Sequence, residues 1–229
     1  MNKCTYHSGL NRFEFIEDTQ EEWRHKWDKD IMYYDVISYC RTLSQKKLKV
    51  ALNLAMTTWD LEIPVKFKSN WNNYRSDETN ITIDFKNSDE DHYFKDRPSV
   101  LAYAYFPGQG SVSGQIVFND DYLWSTNGNP VSGKKAKKEG WVEDADNSSQ
   151  LKTYNVIHVL IHELGHSLGL RHDAHNDTKD VMDAYYSGKL ELSDYDILRI
   201  RQKYGVRVWK KWSWYSIVKR AITNWKLRL

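Results

Sequence analysis

The chain has 229 residues, of which 40% are hydrophobic and 14% aromatic, with 15 Tyr and 10 Trp. That is too many aromatics for a disordered polymer and enough chain for one domain with a substantial core. No apolar run approaches the ~20 residues a membrane-spanning helix needs, and two cysteines, Cys4 and Cys40, can close at most one disulfide, which excludes a disulfide-stapled scaffold. The net charge of +2 is unevenly placed: residues 206–229 hold Arg207, Lys210, Lys211, Lys219, Arg220, Lys226 and Arg228 and no acid, leaving residues 1–205 at −5.

Residues 1–30 are polar and aromatic, with Trp23 and Trp27 among charges and no clear period; residues 1–26 read as an N-terminal extension, and residues 1–9 lack the apolar stretch of a secretory leader. Ile31 to Ile37 is β-branched and aromatic, which predicts a first strand. A helix follows, because Leu48, Ala51, Leu52, Ala55, Met56 and Trp59 recur at helical spacing along one face. Ile63, Val65 and Phe67 alternate with polar residues, as do Ile81, Ile83 and Phe85, and both runs predict half-buried strands. Two more strands, Leu101–Phe106 and Gln115–Phe118, flank a turn-rich segment. Residues 125–153, rich in Gly, Asn, Ser and Lys, read as a long solvated loop. Val156, Ile157, Leu160, Ile161, Leu164 and Leu168 predict a second helix, and Ser193 with Asp196 three residues on starts a last one that stops at Gly205. Helix, run of strands, then helices describes an α+β domain over residues 27–205, with the sheet backed by helices.

The chemistry concentrates in residues 162–173, His-Glu-Leu-Gly-His-Ser-Leu-Gly-Leu-Arg-His-Asp. His162 and His166, four apart on a helix, stand one turn above the other, so both rings can reach one ion. Zinc suits a set of imidazole nitrogens with an open fourth position, and Glu163 beside it can take a proton from water. Gly169 permits a left-handed turn that swings His172 back as third ligand, and Met182 can form a turn beneath the histidines.

With that motif, the sequence resembles the metzincins and, among them, the matrixins. Leu101–Gly108 is similar to the matrixin edge strand that pairs with an extended substrate. Phe118–Trp124 is similar to its acidic calcium segment, and Leu192–Ile197 through Tyr204–Gly205 to its last helix. The resemblance implies a zincin-like fold: a twisted, mostly parallel sheet of about five strands with an antiparallel edge strand, a backing helix, an active-site helix and a C-terminal helix. It also implies a zinc endopeptidase with Glu163 as general base. Leu101, Ala102, Ala104, His158, Ala184 and Tyr186 would contact the substrate, and Asp120 and Asp121 would be the carboxylates of a calcium site. His158 shares a face with His162 and His166, but i and i+8 lie ~12 Å apart on a straight helix, so all three cannot hold one ion. By resemblance it lines the floor of the pocket for the residue after the cut; otherwise it is a hydrogen-bonded core histidine.

The departures are specific. Matrixins hold a second, structural zinc with histidines on two strands, where this chain has Tyr103 and Val117, leaving His92 in the loop; one zinc per chain is therefore expected. Tyr122 stands where the family has a calcium-binding glutamate, and Asp173 follows the third histidine as in the reprolysins. Cys4 lacks the Pro, Arg and Gly of the inhibitory propeptide motif and reads as an ordinary thiol. In residues 206–229, Trp214, Ile217, Val218, Ala221, Ile222, Trp225 and Leu229 fall at helical spacing among the basic residues. This predicts an amphipathic tail helix for an anionic membrane surface or a protein partner, rather than nucleic acid, or else one that packs on its own domain. The alternative to an enzyme is a metzincin fold that works as a surface-binding module through that tail. The chain is expected to be a monomer with a protein or peptide as substrate. Its compartment stays open, the family being mostly extracellular.

Overall fold

The computed structural model describes residues 25–71, 79–173 and 180–208, and the backbone alone of residues 3–7. Most of the predicted tail, from residue 209 on, lies outside these residues. Among the described residues no helix is long and apolar enough to cross a membrane.

The first predicted strand is Ile31–Val36 and leads into helix α1, Gln45–Asp60. Ser44 caps that helix by accepting from the Lys47 amide, and Leu48, Ala51, Leu52, Ala55, Met56 and Trp59 are its buried residues. The main sheet comprises β1 (Lys3–His7), β2 (Ile31–Val36), β3 (Lys66–Ser69), β4 (Thr79–Lys86), β5 (Val100–Tyr105) and β6 (Gln115–Asn119), in spatial order β1-β5-β6-β4-β2-β3. β3, β2, β4 and β6 are parallel neighbours, while β5 runs antiparallel to β6. The active-site helix, Val156–Ser167, packs against α1 and against β5 and β6. The indole N–H of Trp59 donates to the Ile161 carbonyl at 2.9 Å, tying the two long helices together at their crossing. The C-terminal helix is Asp194–Tyr204; Ser193 and Asp196 form a capping box, and Gly205 ends it at φ 85°.

The fold is therefore the α+β arrangement expected, with four adjustments. The five anticipated strands gain a sixth, β1, which covers the outer side of β5, the strand expected at the edge. β4 is buried on both faces rather than one, since parallel strands flank it and side chains cover both sides. Ile63 and Val65 are buried in the loop before β3, whose ladder starts only at Lys66. Residues 125–153 are not a plain loop: they contain a two-stranded pairing of Val131–Ser132 with Gln150–Leu151 and the short helix Gly133–Lys138. Ser132 caps that helix, and a Cβ at Gly133 would meet the Asp146 carbonyl at 1.9 Å. The lysines there are a solvated face around a small buried side at Gly133 and Ala136.

Candidate active site

The active-site helix is buried along all twelve residues, so its two histidines and its glutamate face protein rather than bulk water. Asn155 caps its start by accepting from the Ile157 amide at 2.9 Å. At its end Gly169, at φ 92°, lets the Leu170 amide reach the Gly165 carbonyl at 2.8 Å and the Gly169 amide reach His166 O at 2.7 Å, a Schellman closure. A Cβ at Gly169 would sit 1.9 Å from the His25 carbonyl. The reversal carries His172 back over the helix.

Three imidazoles converge there. The Nε2 atoms of His162 and His166 are 3.0 Å apart, and each lies 3.2 Å from Nε2 of His172. The Val181 carbonyl accepts from Nδ1 of His162 at 2.7 Å, and the Leu170 carbonyl from Nδ1 of His166 at 2.6 Å. Since Nδ1 of both rings carries the proton, both Nε2 atoms present lone pairs. Their 3.0 Å approach is not a hydrogen bond but a contact that needs a cation between them. Ligands ~2.05 Å from a tetrahedral zinc stand about 3.3 Å apart, close to the spacing observed. Burial, and for His162 the neighbouring rings also, holds both imidazoles below their ordinary pKa, that of His166 at about 4, so they stay neutral and able to ligate. Among the described residues this is the one cluster of three or more His, Cys, Asp or Glu with that geometry.

Glu163 is fully buried, and both carboxylate oxygens lack a hydrogen-bond partner among the described residues. Burial pushes its pKa well above the ordinary value. A buried carboxyl without a protein partner is costly, and beside three converging imidazoles it fits a group that exchanges protons with a reactant. Beneath the histidines, Met182 is buried, and a Cβ placed on Gly165 would lie 2.2 Å from its Sδ. The turn is fixed by Asp196, whose carboxylate accepts from the amides of Val181 at 2.8 Å, Met182 at 3.3 Å and Ser193 at 3.1 Å. Val181 thus links the last helix to one of the three converging rings: its N–H meets Asp196 and its C=O meets His162. Asp173, just after His172, donates its amide to the Met182 carbonyl at 3.0 Å.

The expected substrate residues fall into two groups. Leu101, Ala102 and Ala104 are buried on β5, and Phe106 just beyond packs edge-on against the His166 ring at 5.9 Å. His158 and Tyr186 meet edge-on at 5.0 Å, with Ala184 buried nearby in sequence. His158 Nδ1 bonds the Lys189 carbonyl, so it is a satisfied buried histidine that also flanks Tyr186; burial takes its pKa down to about 4. The Tyr186 hydroxyl accepts from the Asn155 amide at 2.9 Å, fixing that wall to the start of the active-site helix.

Two metal regions of the resemblance are occupied by protein. The Tyr103 hydroxyl donates to Asp91 at 2.5 Å, while the other oxygen of Asp91 caps the helix His92–Asp96. Tyr103 packs there with Phe94, Tyr105, Val100 and Val117, and His92 is exposed. At the acidic segment, Arg41 donates from Nε to the Asp120 carbonyl at 2.9 Å, from Nη2 to the Asp121 carbonyl at 2.9 Å and from Nη1 to the Trp141 carbonyl at 2.7 Å. Its own amide meets the Asp120 carboxylate at 3.2 Å, and burial pushes that carboxyl up to about 6. Asn119 Nδ2 donates to the Val100 carbonyl at 3.0 Å and the Tyr122 hydroxyl to the Pro98 carbonyl at 2.6 Å.

A family model for matrixins matches residues 26–205. The chain belongs to the matrixin family. Its relatives include matrilysin of Felis catus, 31% identical over 197 residues, or 83% of this chain and 64% of that protein. Stromelysin-1 of Mus musculus is 28% identical, covering 79% of this chain and 33% of its own length. Matrix metalloproteinase-20 of Homo sapiens is also 28% identical, over 80% of this chain and 33% of its own length. The chain thus spans less than two thirds of these curated relatives.

Within this matrixin, several residues that hold the site carry no motif or periodic signal in the sequence. Trp27 donates its indole N–H to the Ser167 carbonyl at 2.8 Å, and the Pro107 carbonyl accepts from His25 at 2.8 Å. Residues 25–27 therefore clamp the end of the active-site helix to the end of β5. Arg41 and the cross-link from Asp196 to the Met182 turn gave no periodic signal, and only the Ser-x-x-Asp spacing marked Asp196, as a cap. Cys40 is buried and free, and burial raises its pKa, so it is not a reactive thiol. Arg207, first cation of the basic segment, is anchored to the body through Asp60 at 2.5 Å and the Ile63 carbonyl at 2.9 Å.

Proposed function

We propose that the protein is a zinc endopeptidase, with His162, His166 and His172 as ligands and Glu163 as general base. The observation that carries this reading is the triangle of Nε2 atoms, 3.0–3.2 Å apart, beside a buried carboxylate without a hydrogen-bond partner among the described residues. Zinc held by these rings supplies Lewis acidity towards water and a peptide carbonyl. Glu163, its pKa raised by burial, takes the proton of the attacking water on its carboxylate and delivers it to the amine that leaves. The Val181 and Leu170 carbonyls hold His162 and His166 in the tautomer that offers Nε2, and Met182 packs beneath the rings.

The substrate is an extended protein or peptide segment paired along β5 at Leu101, Ala102 and Ala104, with His158, Ala184 and Tyr186 forming the wall of the pocket after the cut. One zinc serves the chain, because Tyr103 and Asp91 satisfy each other where a second site would need ligands. Calcium has no role at Asp120 and Asp121, whose carbonyls already receive the Arg41 guanidinium. Residues 27–205 are the catalytic domain of a monomer, preceded by an N-terminal extension. Residues beyond Arg207 remain candidates for an anionic surface or a protein partner.

The test is cleavage of an extended peptide library by the zinc-loaded chain, by the chelated chain and by Glu163→Ala. Cleavage confined to the first, with zinc retained by the variant, supports the assignment. Equal cleavage by Glu163→Ala would remove that residue from the mechanism.

A further inference from the structure

The three converging rings are not held alike. His162 and His166 stand on one helix, and the Val181 and Leu170 carbonyls fix their Nδ1 atoms. His172 lies beyond the helix, in the leg that follows Gly169, and is partly exposed where the other two are buried. Its place in the triangle therefore depends on how its main chain is held. On one side of it the Asp173 amide donates to the Met182 carbonyl at 3.0 Å. On the other, the Arg171 carbonyl accepts from Nη2 of Arg199 at 2.9 Å, across 28 residues of sequence.

Arg199 belongs to the C-terminal helix and follows Asp196 by three residues, so the two lie on one face. Asp196 binds the Val181 and Met182 amides, and Arg199 reaches from the next turn to the leg that carries His172. The guanidinium carbon stands 5.5 Å from the centre of the Tyr195 ring, which limits the sweep of the side chain. A cation in this position is a cost to a metal site. Burial first, and the Arg199 charge to a smaller extent, lower the His166 pKa, and the same charge repels a divalent ion. What the residue gives in return is geometric. A planar, permanently charged donor holds a carbonyl more firmly than a neutral one, and here it fixes the peptide unit from which His172 departs.

We infer that Arg199 is a positioning residue for His172: by holding the Arg171 carbonyl it sets the third imidazole against the two of the active-site helix. This rests on the reading of the three histidines as zinc ligands. The C-terminal helix then orients two of the three rings, His162 through Asp196 and Val181, and His172 through Arg199 and Arg171.

The experiment compares the full chain with Arg199→Met, with Arg199→Lys and with Gln202→Met, a control at an exposed position of the same helix. Competition with a chromophoric chelator gives zinc affinity, and the visible spectrum of the cobalt(II)-loaded chain reports ligand geometry. Arg199→Met should bind zinc about tenfold more weakly, the lower end of the loss for an outer partner, because the departing charge works in the opposite direction. Its cobalt bands should differ from those of the parent. Arg199→Lys keeps the charge and a donor, so it should recover most of the affinity and the parent spectrum. Gln202→Met should match the parent in both, and the metal-free chains should melt within about 4 °C of one another. Zinc held by Arg199→Met as tightly as by the parent, or more tightly, would overturn the inference, since charge would then outweigh positioning. An unchanged cobalt spectrum in Arg199→Met would do the same. So would a melting temperature lowered by more than ~10 °C, which would make Arg199 a structural member of the helix packing. A parent chain that binds no zinc would reject the ligand reading and the inference together. Weaker zinc binding by Arg199→Met in a chain that cleaves nothing would uphold the positioning and reject the endopeptidase.

Discussion

Replacing Asp196 with Ala should weaken both the fold and the metal centre, although Asp196 is not a metal ligand. Its fully buried carboxylate accepts from the amides of Val181, Met182 and Ser193. Val181 and Met182 are themselves fully buried, so the alanine would leave two donors without partners, at about 1–3 kcal/mol each. Loss of the capping box adds about 0.5–1 kcal/mol. Burial raises the Asp196 pKa, so the native carboxylate carries a desolvation cost that its removal returns, and the lower half of the range applies. About 3 kcal/mol is expected, which for a chain of this length lowers the melting temperature by about 10 °C. Because the Val181 carbonyl orients His162, zinc affinity should fall by about 10–100-fold, the usual loss when such an outer partner goes. Calorimetry of the zinc-loaded chain and competition with a chromophoric chelator measure the two effects. Asp194→Ala, at an exposed first-turn position of the same helix, should cost under ~1 kcal/mol and leave zinc affinity unchanged. If Asp196→Ala melts within about 2 °C of the parent and holds zinc as tightly, the link from last helix to metal centre is wrong.

Gly165→Ala should destabilise by about 1–3 kcal/mol despite the better helix propensity of alanine, because its Cβ would meet Met182 Sδ at 2.2 Å; thermal melting reads this, and a rise in stability would show that Met182 can move aside. Elemental analysis of dialysed, tag-free protein should find one zinc per chain, and a second would mean that the Tyr103–Asp91 pair opens to recruit a metal. Adding calcium or a calcium-selective chelator should leave the melting temperature unchanged, whereas Arg41→Ala should lower it by about 2–8 °C, from about 1–2 kcal/mol of hydrogen bonds at a solvent-exposed arginine. Calcium restoring the Arg41→Ala variant would show that the cation and the guanidinium share one seat.

Local signals were enough for most elements and for the convergence of three histidines. The apolar stripe from Leu48 to Trp59 matches the buried face of α1 residue for residue, because a helix with one apolar face can bury only that face. Ser193, Asp196 and Gly205 marked the last helix because caps satisfy orphan amides and carbonyls within a few residues of chain. His162, His166 and Gly169 with His172 were legible for the same reason: a helix turn and a left-handed reversal bring the rings together over eleven residues of sequence. Contacts between distant segments decided the rest. Nothing in the run of β4 says that strands flank it on both sides, so its two-sided burial was hidden, and the lysine-rich segment concealed the small buried side of Gly133 and Ala136. Arg41 meets Asp120 and Asp121 across about eighty residues, Trp59 meets Ile161 across about a hundred, and Asp196 reaches the Met182 turn only because the last helix docks there. The partner of β5 was equally invisible, since β1 has the composition of a plain polar terminus and acquires its place only from the open row of hydrogen bonds that the folded sheet presents.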